Sequence, residues 1–308
     1  MTRHSIAGAM LILAMVVPAI ARGQVRLEFK YPDGDKSTTI KRIKSEQVLT
    51  VAGMETKTGS EQTITTVLQN GRRAADGTLP VRHTVASLVA EVRLPGGIEV
   101  EYDSAKENDS SNSQFAAVLQ VLNAMSKSDW TAIHGQDNRI TTIKPQDDAL
   151  AGVDAGTREL IKRQFDPEYL KVQANNLINR IPTTPVQVGD SWERTETLRL
   201  EGGQNMTFKI RYEYQGAVNR GGRNLDKIDS RTLTVDYNVD PNGPLRIVNS
   251  DLKIAESSGT IYFDRQRGEM AGTQERVRIR GQLTFDVNGM QIPGNLDLTM
   301  SRQMVVRR

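Results

Sequence analysis

Residues 206–214 read Met-Thr-Phe-Lys-Ile-Arg-Tyr-Glu-Tyr, with Met206, Phe208, Ile210, Tyr212 and Tyr214 alternating with Thr207, Lys209, Arg211 and Glu213. An extended chain points successive side chains to opposite faces, so this rhythm predicts a strand with one dry face and one wet face. Leu233, Val235, Tyr237 and Val239 repeat the pattern, and Val277, Ile279, Gly281, Leu283, Phe285 and Val287 repeat it again. Turn chemistry falls between these runs: Glu201-Gly202-Gly203, Arg220-Gly221-Gly222, Asp240-Pro241-Asn242-Gly243, Asn288-Gly289 and Pro293-Gly294. Strands joined by short turns with no helix between them form an antiparallel meander, and one apolar face requires a cover.

The same reading extends upstream. Val25, Leu27, Phe29 and Tyr31 alternate with charged residues and predict a strand that ends in the turn Pro32-Asp33-Gly34-Asp35. Further strands are expected near 47–51, 62–68, 81–94 and 98–102, with Pro95-Gly96-Gly97 turning the last pair. A polar loop over 105–113 precedes a helix in which Phe115, Val118, Leu119, Leu122 and Met125 form one stripe, with Ser113 as N-cap. A second helix is expected over 157–164. A third is opened by Asp166 and Pro167, carries the stripe Tyr169, Leu170, Ala174, Leu177, Ile178 and Ile181, and is ended by Pro182. The expected fold is therefore mainly β (α+β): a large curved antiparallel sheet or half-barrel meander with two or three amphipathic helices on its apolar face.

The start of the chain differs from the rest. Arg3 and His4 precede an uncharged run from Ala7 to Ala21, and Pro18 breaks that run before Ala19-Ile20-Ala21. This is the three-part pattern of a cleavable secretory signal, with cleavage near Ala21 or Gly23. The run is shorter than the ~20 apolar residues a membrane span requires. The expected organisation is a signal peptide over 1–23 and one β-rich domain over 24–308. Within that domain lie N-terminal strands (24–112), a helical segment (113–182) and C-terminal strands (183–308), with no Pro/Ser/Gly linker. The product is expected to be exported, periplasmic or extracellular.

Composition narrows the function classes. There is no cysteine, so disulfides and thiol catalysis are excluded. The formal charge of +3 includes Arg3 and Arg22 of the leader, which leaves +1 in the remainder. That lacks the concentrated basic footprint of a nucleic-acid binder. Aromatic residues make up only 5%, few for stacking sugars or bases.

Candidate chemistry is sparse. His83 and His134 are the histidines beyond the leader and have no metal-ligand spacing, so no metal or cofactor site is assigned. Ser191, in Gly189-Asp190-Ser191-Trp192-Glu193, precedes a strand rather than following one into a helix, the reverse of a nucleophile elbow. Asp147-Asp148, Asp154 and the series Glu99, Glu101, Asp103 could supply paired carboxylates, but turns and a solvated sheet face account for them. Asp33-Gly34-Asp35 and Asp240-Pro241-Asn242-Gly243 offer loop oxygens without the acidic twelfth position of an EF-hand. Arg276, Arg278 and Arg280, spaced by two, could form an anion-facing patch that Lys209 and Arg211 extend, but a solvated face with acidic cross-strand neighbours is the favoured reading, since near-zero net charge implies intermingled signs. No catalytic residue is assigned.

The segment Ile181-Pro182-Thr183-Thr184-Pro185-Val186-Gln187-Val188-Gly189-Asp190-Ser191-Trp192 resembles a family of exported bacterial proteins of unknown function. In that family a Pro-Val-x-Val-Gly-Asp-x-Trp segment leads into β-hairpins. The strand–helix–strand layout is similar to periplasmic half-barrel lipoprotein carriers, in which a curved sheet wraps helices around an apolar cavity. The resemblance implies a fold and no activity. Trp192 is read as a structural anchor under the sheet edge. The functional expectation is non-enzymatic binding of an apolar or lipid-like ligand between helices and sheet. A structural or protein-interaction module of the cell envelope is the alternative, and a carboxylate-based hydrolase a third reading.

Overall fold

The computed structural model describes residues 23–106, 115–145, 156–158, 162, 166–199, 204–239, 246–287 and 289–308. The described strands are β1 (Lys36–Val51), β2 (Met54–Asn70), β3 (Leu79–Arg93), β4 (Glu99–Asp103), β5 (Asp129–His134), β6 (Ile140–Pro145), β7 (Ser191–Arg199), β8 (Gln204–Arg220), β9 (Arg223–Val239), β10 (Arg246–Asp264), β11 (Glu269–Val287) and β12 (Met290–Arg307). Beside them stand the helices α1 (Ala116–Ser126) and α2 (Pro167–Asn179), and residues 156–158 are helical as well. Ser113, the leader and most of the helix expected over 157–164 lie outside the described residues, as do the turns at 201–203 and 240–243.

All twelve strands belong to one antiparallel sheet, in the order β6-β5-β3-β2-β1-β12-β11-β10-β9-β8-β7, with β4 also on β3. The two β-rich stretches of the sequence meet where β1 pairs β12, from Thr38 opposite Arg307 to Val51 opposite Gly294. Hairpin turns follow the expected chemistry. Gly221 and Gly222 join β8 to β9 with φ of 59° and 76°, the two positive angles that a two-residue turn needs to match strand twist.

Three expectations require correction. The 25–31 segment is not a strand: its one ladder contact is the bridge between Val25 and Val186. Its alternation is nevertheless used, because it crosses one end of the sheet and buries Leu27 while Lys30 N–H donates to Gly268 O and Phe29 O accepts from Asn138 Nδ2. β1 and β2 are far longer than the expected 47–51 and 62–68, because Thr39, Lys41, Ser45, Gln62 and Thr66 interrupt inward rows that also hold Ile43, Leu49, Val51 and Ile64, and so break the oil-and-water rhythm. Pro293-Gly294 is not a turn but lies inside β12. Proline is tolerated there because β1 pairing begins only at Gly294, so Pro293 has no ladder partner on that side.

The main path of the sheet ends at two open edges, β6 and β7, with β4 a further edge strand on β3, and α2 reaches both β6 and β7. Asn175 Oδ1 accepts from Ile140 N–H and its Nδ2 donates to Ile140 O, so a side chain occupies the free edge of β6. On the other side Gln173 Nε2 donates to Thr197 O of β7 at 2.7 Å. Leu170, Ala174 and Ile178 pack over Ala132, Ile140 and Ile143, which fixes the apolar stripe of α2 to β5 and β6. Its N-terminus is built as expected: Asp166 accepts from Glu168 N–H and Pro167 opens the first turn. α1 covers Leu88, Ala90, Val100 and Tyr102 with Leu119 and Leu122.

The outer face carries ion pairs such as Arg42–Glu61, Lys44–Glu46, Arg93–Glu99 and Arg278–Asp297. A membrane-spanning barrel presents an apolar band outward, the reverse of this arrangement. Among the described residues no helix is long and apolar enough to cross a membrane.

Gly281 marks the tightest approach in the sheet. It faces Leu252 with φ of +156°, and a Cβ there would lie 1.9 Å from Asp251 O. Gly281→Ala is expected to cost at least about 2 kcal/mol of unfolding free energy, since backbone must move. Urea unfolding of the two proteins checks this, and an unchanged midpoint would contradict it.

Candidate functional site

The inward side chains form two apolar cores, one at each end of the C-terminal strands. Along β8, Met206 and Phe208 join one core, Tyr212 and Tyr214 join the other, and Ile210 touches both. On β11 the corresponding residues are Ile279, Leu283 and Phe285 at one end and Met270 at the other; on β12 they are Leu296 and Leu298 against Met304. Between these cores the inward row turns small or polar: Ser45 on β1, Ser230 and Thr232 on β9, Ser257 on β10, Glu275 on β11 and Arg302 on β12. Short side chains cannot fill the space that Leu or Phe fills at either end, and a cavity of about 310 Å³ results. Ile43, Leu198, Phe208, Ile210, Val277 and Met300 supply its apolar wall.

The sheet is also open at this level. β9 and β10 keep their ladder only from Gly259 opposite Ser230 to Phe263 opposite Asp226. Beyond it Thr232 N–H donates to Ser257 Oγ at 2.7 Å instead of to a backbone carbonyl. Both residues line the cavity.

One side of the cavity is ionic. Arg180, the residue after α2, is 4% exposed and reaches across the sheet interior. Its Nε and Nη2 donate to the two oxygens of Glu196 at 2.8 Å each, and Nη1 donates to Glu275 Oε1 at 2.6 Å. Tyr212 O–H donates to Glu196 Oε1 at 3.0 Å. Burial opposes the charge on Arg180, but Glu275 and Glu196 outweigh it and raise its pKa above the ordinary arginine range. Burial likewise raises the Tyr212 phenol. Arg302 Nη1 lies 4.0 Å from Glu275 on its other side. Trp192 secures the corner: its indole N–H donates to Arg180 O at 2.9 Å, and its ring stacks on Tyr212.

A second polar group lies on the inner face of β3 and β5. His83 stacks on Trp130 with ring centroids 5.1 Å apart, and His134 lies 4.5 Å from Tyr31. His134 Nδ1 bonds Asn138 O at 2.9 Å, while the Nε2 atoms of both histidines are buried without a hydrogen-bond partner. Burial first, then the charges of His134 and Lys41, lower the His83 pKa to about 3; burial lowers that of His134 as well. Among the described residues no three of His, Cys, Asp and Glu gather as a metal site would require.

The residues singled out in the sequence are dispersed. Arg276, Arg278 and Arg280 point to the outer face of β11, opposite Glu275 and Val277. There Arg278 and Arg280 share Asp297 at 2.8 and 2.9 Å, and Glu256 lies 3.8 Å from Arg276 and 3.5 Å from Arg278. Lys209 and Arg211 pair Glu193. Glu99 and Glu101 are exposed on β4, and Ser191 opens β7. Asp147, Asp148, Asp154 and 240–243 lie outside the described residues. The ionic side of the cavity was missed, although the sequence carried a signal for it. Glu196 falls on the beat of Trp192 and Leu198, Glu275 on that of Val277 and Ile279, and Arg302 on that of Met300 and Met304. A charge in phase with apolar neighbours points inward.

Residues 76–221 match a family of unknown function (DUF6263). The match runs from the turn before β3 to the β8–β9 turn and includes the Ile181–Trp192 segment, Arg180 and Glu196. A search of curated proteins returns no match. Among solved structures the chain is similar to one describing lipid–protein interactions in lipovitellin, at 11% identity over 91% of this chain and 26% of that one, TM-score 0.45. It is also similar to an outer membrane channel of Pseudomonas putida F1, at 10% identity over 91% and 98% of the two chains, TM-score 0.19. A DUF1329 family protein from Desulfovibrio piger is similar at 7% identity over 86% and 84%, TM-score 0.10. The chain spans about a quarter of the lipovitellin's length.

Two predictions follow from these polar groups. Arg180→Met leaves Glu196 and Glu275 without their main partner and is expected to cost about 3–5 kcal/mol in urea unfolding, the scale for breaking a buried ion pair; a loss below 1 kcal/mol would show the pair to be solvated. The histidines set an acid limit. Their folded pKa values lie below the unfolded ~6.5, so the unfolded chain binds more protons below that pH. Their stabilisation is complete above about pH 6.5 and is lost as pH falls toward about 3 for His83, at no more than ~1.4 kcal/mol per pH unit per group. Urea midpoints measured from pH 7.5 to 4.5 should fall, and His83→Phe should flatten the slope; an equal slope in the variant would refute the assignment.

Proposed function

We propose that this chain is a non-enzymatic binding protein of the cell envelope that holds an apolar or lipid-like ligand on the concave face of its sheet, next to α2. The observation that carries the reading is the cavity of about 310 Å³ between two filled cores. A sheet that buries Leu, Ile and Phe at both ends has no packing reason to interpose Ser45, Ser230, Thr232 and Ser257, and each lost apolar contact weakens the core. The volume lies at the lower end of small-molecule sites, which are mostly apolar with a few placed polar groups. Its wall fits that description, with Phe208, Ile210, Val277 and Met300 opposite Arg180 and Glu196. Among the described residues both carboxylates of the site bind Arg180, and the histidines face Trp130 and Tyr31. Export is supported by the leader pattern over 1–23, and the ionic outer face suits an aqueous envelope space.

A structural or interaction module is the competing reading, and it requires no ligand in the cavity. The two are separated by native mass spectrometry of the purified chain and by titration with an environment-sensitive apolar dye. Ligand or dye is expected to bind the natural chain, and Thr232→Trp, which fills the space, should weaken dye binding at least about tenfold while the circular dichroism spectrum is kept. Equal dye binding by a folded Thr232→Trp chain, or no binding by either, would remove the proposal.

A further inference from the structure

The charges around the cavity do not balance. Arg180 and Arg302 line the cavity with two carboxylates, Lys41 lies beside them on β1, and both carboxylates are already engaged: Glu196 by Arg180 and Tyr212, Glu275 by Arg180 at 2.6 Å. Arg302 is held only at 4.0 Å from Glu275. Lys41 stands two residues before Ile43 on the inner face of β1, and Ile43 lies directly opposite Arg302 on β12. Lys41 and Arg302 are therefore diagonal cross-strand neighbours, within reach of each other along long side chains. Among the described residues Lys41 has no hydrogen-bond or ion-pair partner. Desolvation, and then the charges of Arg302 and Arg180, hold its ammonium below the ordinary lysine range. Lys41 is half-buried and Arg302, with 46% of its side chain exposed, stands where the cavity meets solvent, so two like charges share the rim of the site with no carboxylate committed to either.

We propose that Lys41 and Arg302 form the headgroup site for an anionic amphiphile, whose carboxylate or phosphate they receive while its chain lies along Ile43, Phe208, Val277 and Met300. This inference rests on the cavity being a ligand site and names the chemistry of that ligand. An inorganic anion alone fits less well: a cavity of about 310 Å³ would be left largely unfilled along its apolar wall. A neutral lipid would leave Lys41 uncompensated.

Isothermal titration calorimetry of the chain with matched ligands decides the matter. Dodecanoate and dodecyl phosphate should bind roughly tenfold or more tightly than dodecanol, the affinity increment of one charge-assisted hydrogen bond. Dodecylammonium should bind most weakly, and inorganic phosphate far more weakly than dodecyl phosphate. In Lys41→Met the anions should fall toward the alcohol, whose own affinity is unchanged; loss of a half-buried cation beside Arg302 should leave the melting temperature equal or higher. Equal binding of anion and alcohol by the natural chain would overturn the headgroup site and leave the cavity reading standing. Inorganic phosphate binding as tightly as dodecyl phosphate would overturn the amphiphile in favour of a plain anion site. Binding of none of them would end both readings. The comparison in the natural chain stands even if Lys41→Met fails to fold.

Discussion

The Arg180 guanidinium is the interaction on which the arrangement depends. A curved sheet with two free edges must bring those edges to a common cover, or their unpaired backbone groups remain exposed. α2 provides the cover, through Asn175 on β6 and Gln173 on β7. At its end Arg180 binds Glu196 on β7 and Glu275 on β11, and its carbonyl receives the Trp192 indole. One side chain thus locates the helix end, one edge strand and an interior strand relative to one another. A buried ion pair of this kind contributes little net stability against an apolar substitute, but it penalises any arrangement that leaves a charge unpaired. In this fold it specifies where α2 ends on the sheet.

The cavity follows from the same constraint. Glu196 and Glu275 must point inward to meet Arg180, so the row they occupy cannot be dry. Ser230, Thr232 and Ser257 continue that row across β9 and β10, where the backbone ladder has ended and Ser257 Oγ takes over as acceptor for Thr232 N–H. The interior is therefore layered along the strands, with apolar cores at both ends (one of them enclosing the buried Asp226 with Tyr214 and Arg265) and a polar layer between, where the ladder opens.

Much of the architecture was legible because it rests on period and punctuation. The alternation in 206–214 and 277–287, the double glycine at 221–222 and the Asp166-Pro167 start of α2 each have one local solution, and the chain adopts it. What was not legible depended on partners distant in sequence. The 25–31 segment alternates like a strand, yet it crosses the end of the sheet and meets turns, at Gly268 and Asn138, rather than a neighbouring strand. β1 and β2 lacked a steady apolar beat because polar residues such as Thr39, Lys41, Ser45 and Gln62 interrupt the inward rows that place Leu49, Val51 and Ile64 against the cores. The two short strands β5 and β6 became strands only through pairing with β3 and the cap from Asn175.

The hidden strands β1 and β2 and the hidden ionic side of the cavity have one physical origin. A pattern reading assigns polar residues to the outside, so a strand whose inward row contains Thr39, Lys41 and Ser45 reads as no strand at all. A single charge such as Glu275 within an apolar beat reads as noise. In a sheet the period is geometric and persists whatever the side chains are, so a polar residue on the inward beat is buried by the register whether or not it is comfortable there. Such residues persist only where a partner or an enclosed space receives them. Glu196 and Glu275 have their partner in Arg180. Lys41, also on an inward position, has none among the described residues, and so the polarity that hid the strand from the sequence also marks where a partner from outside the chain is proposed.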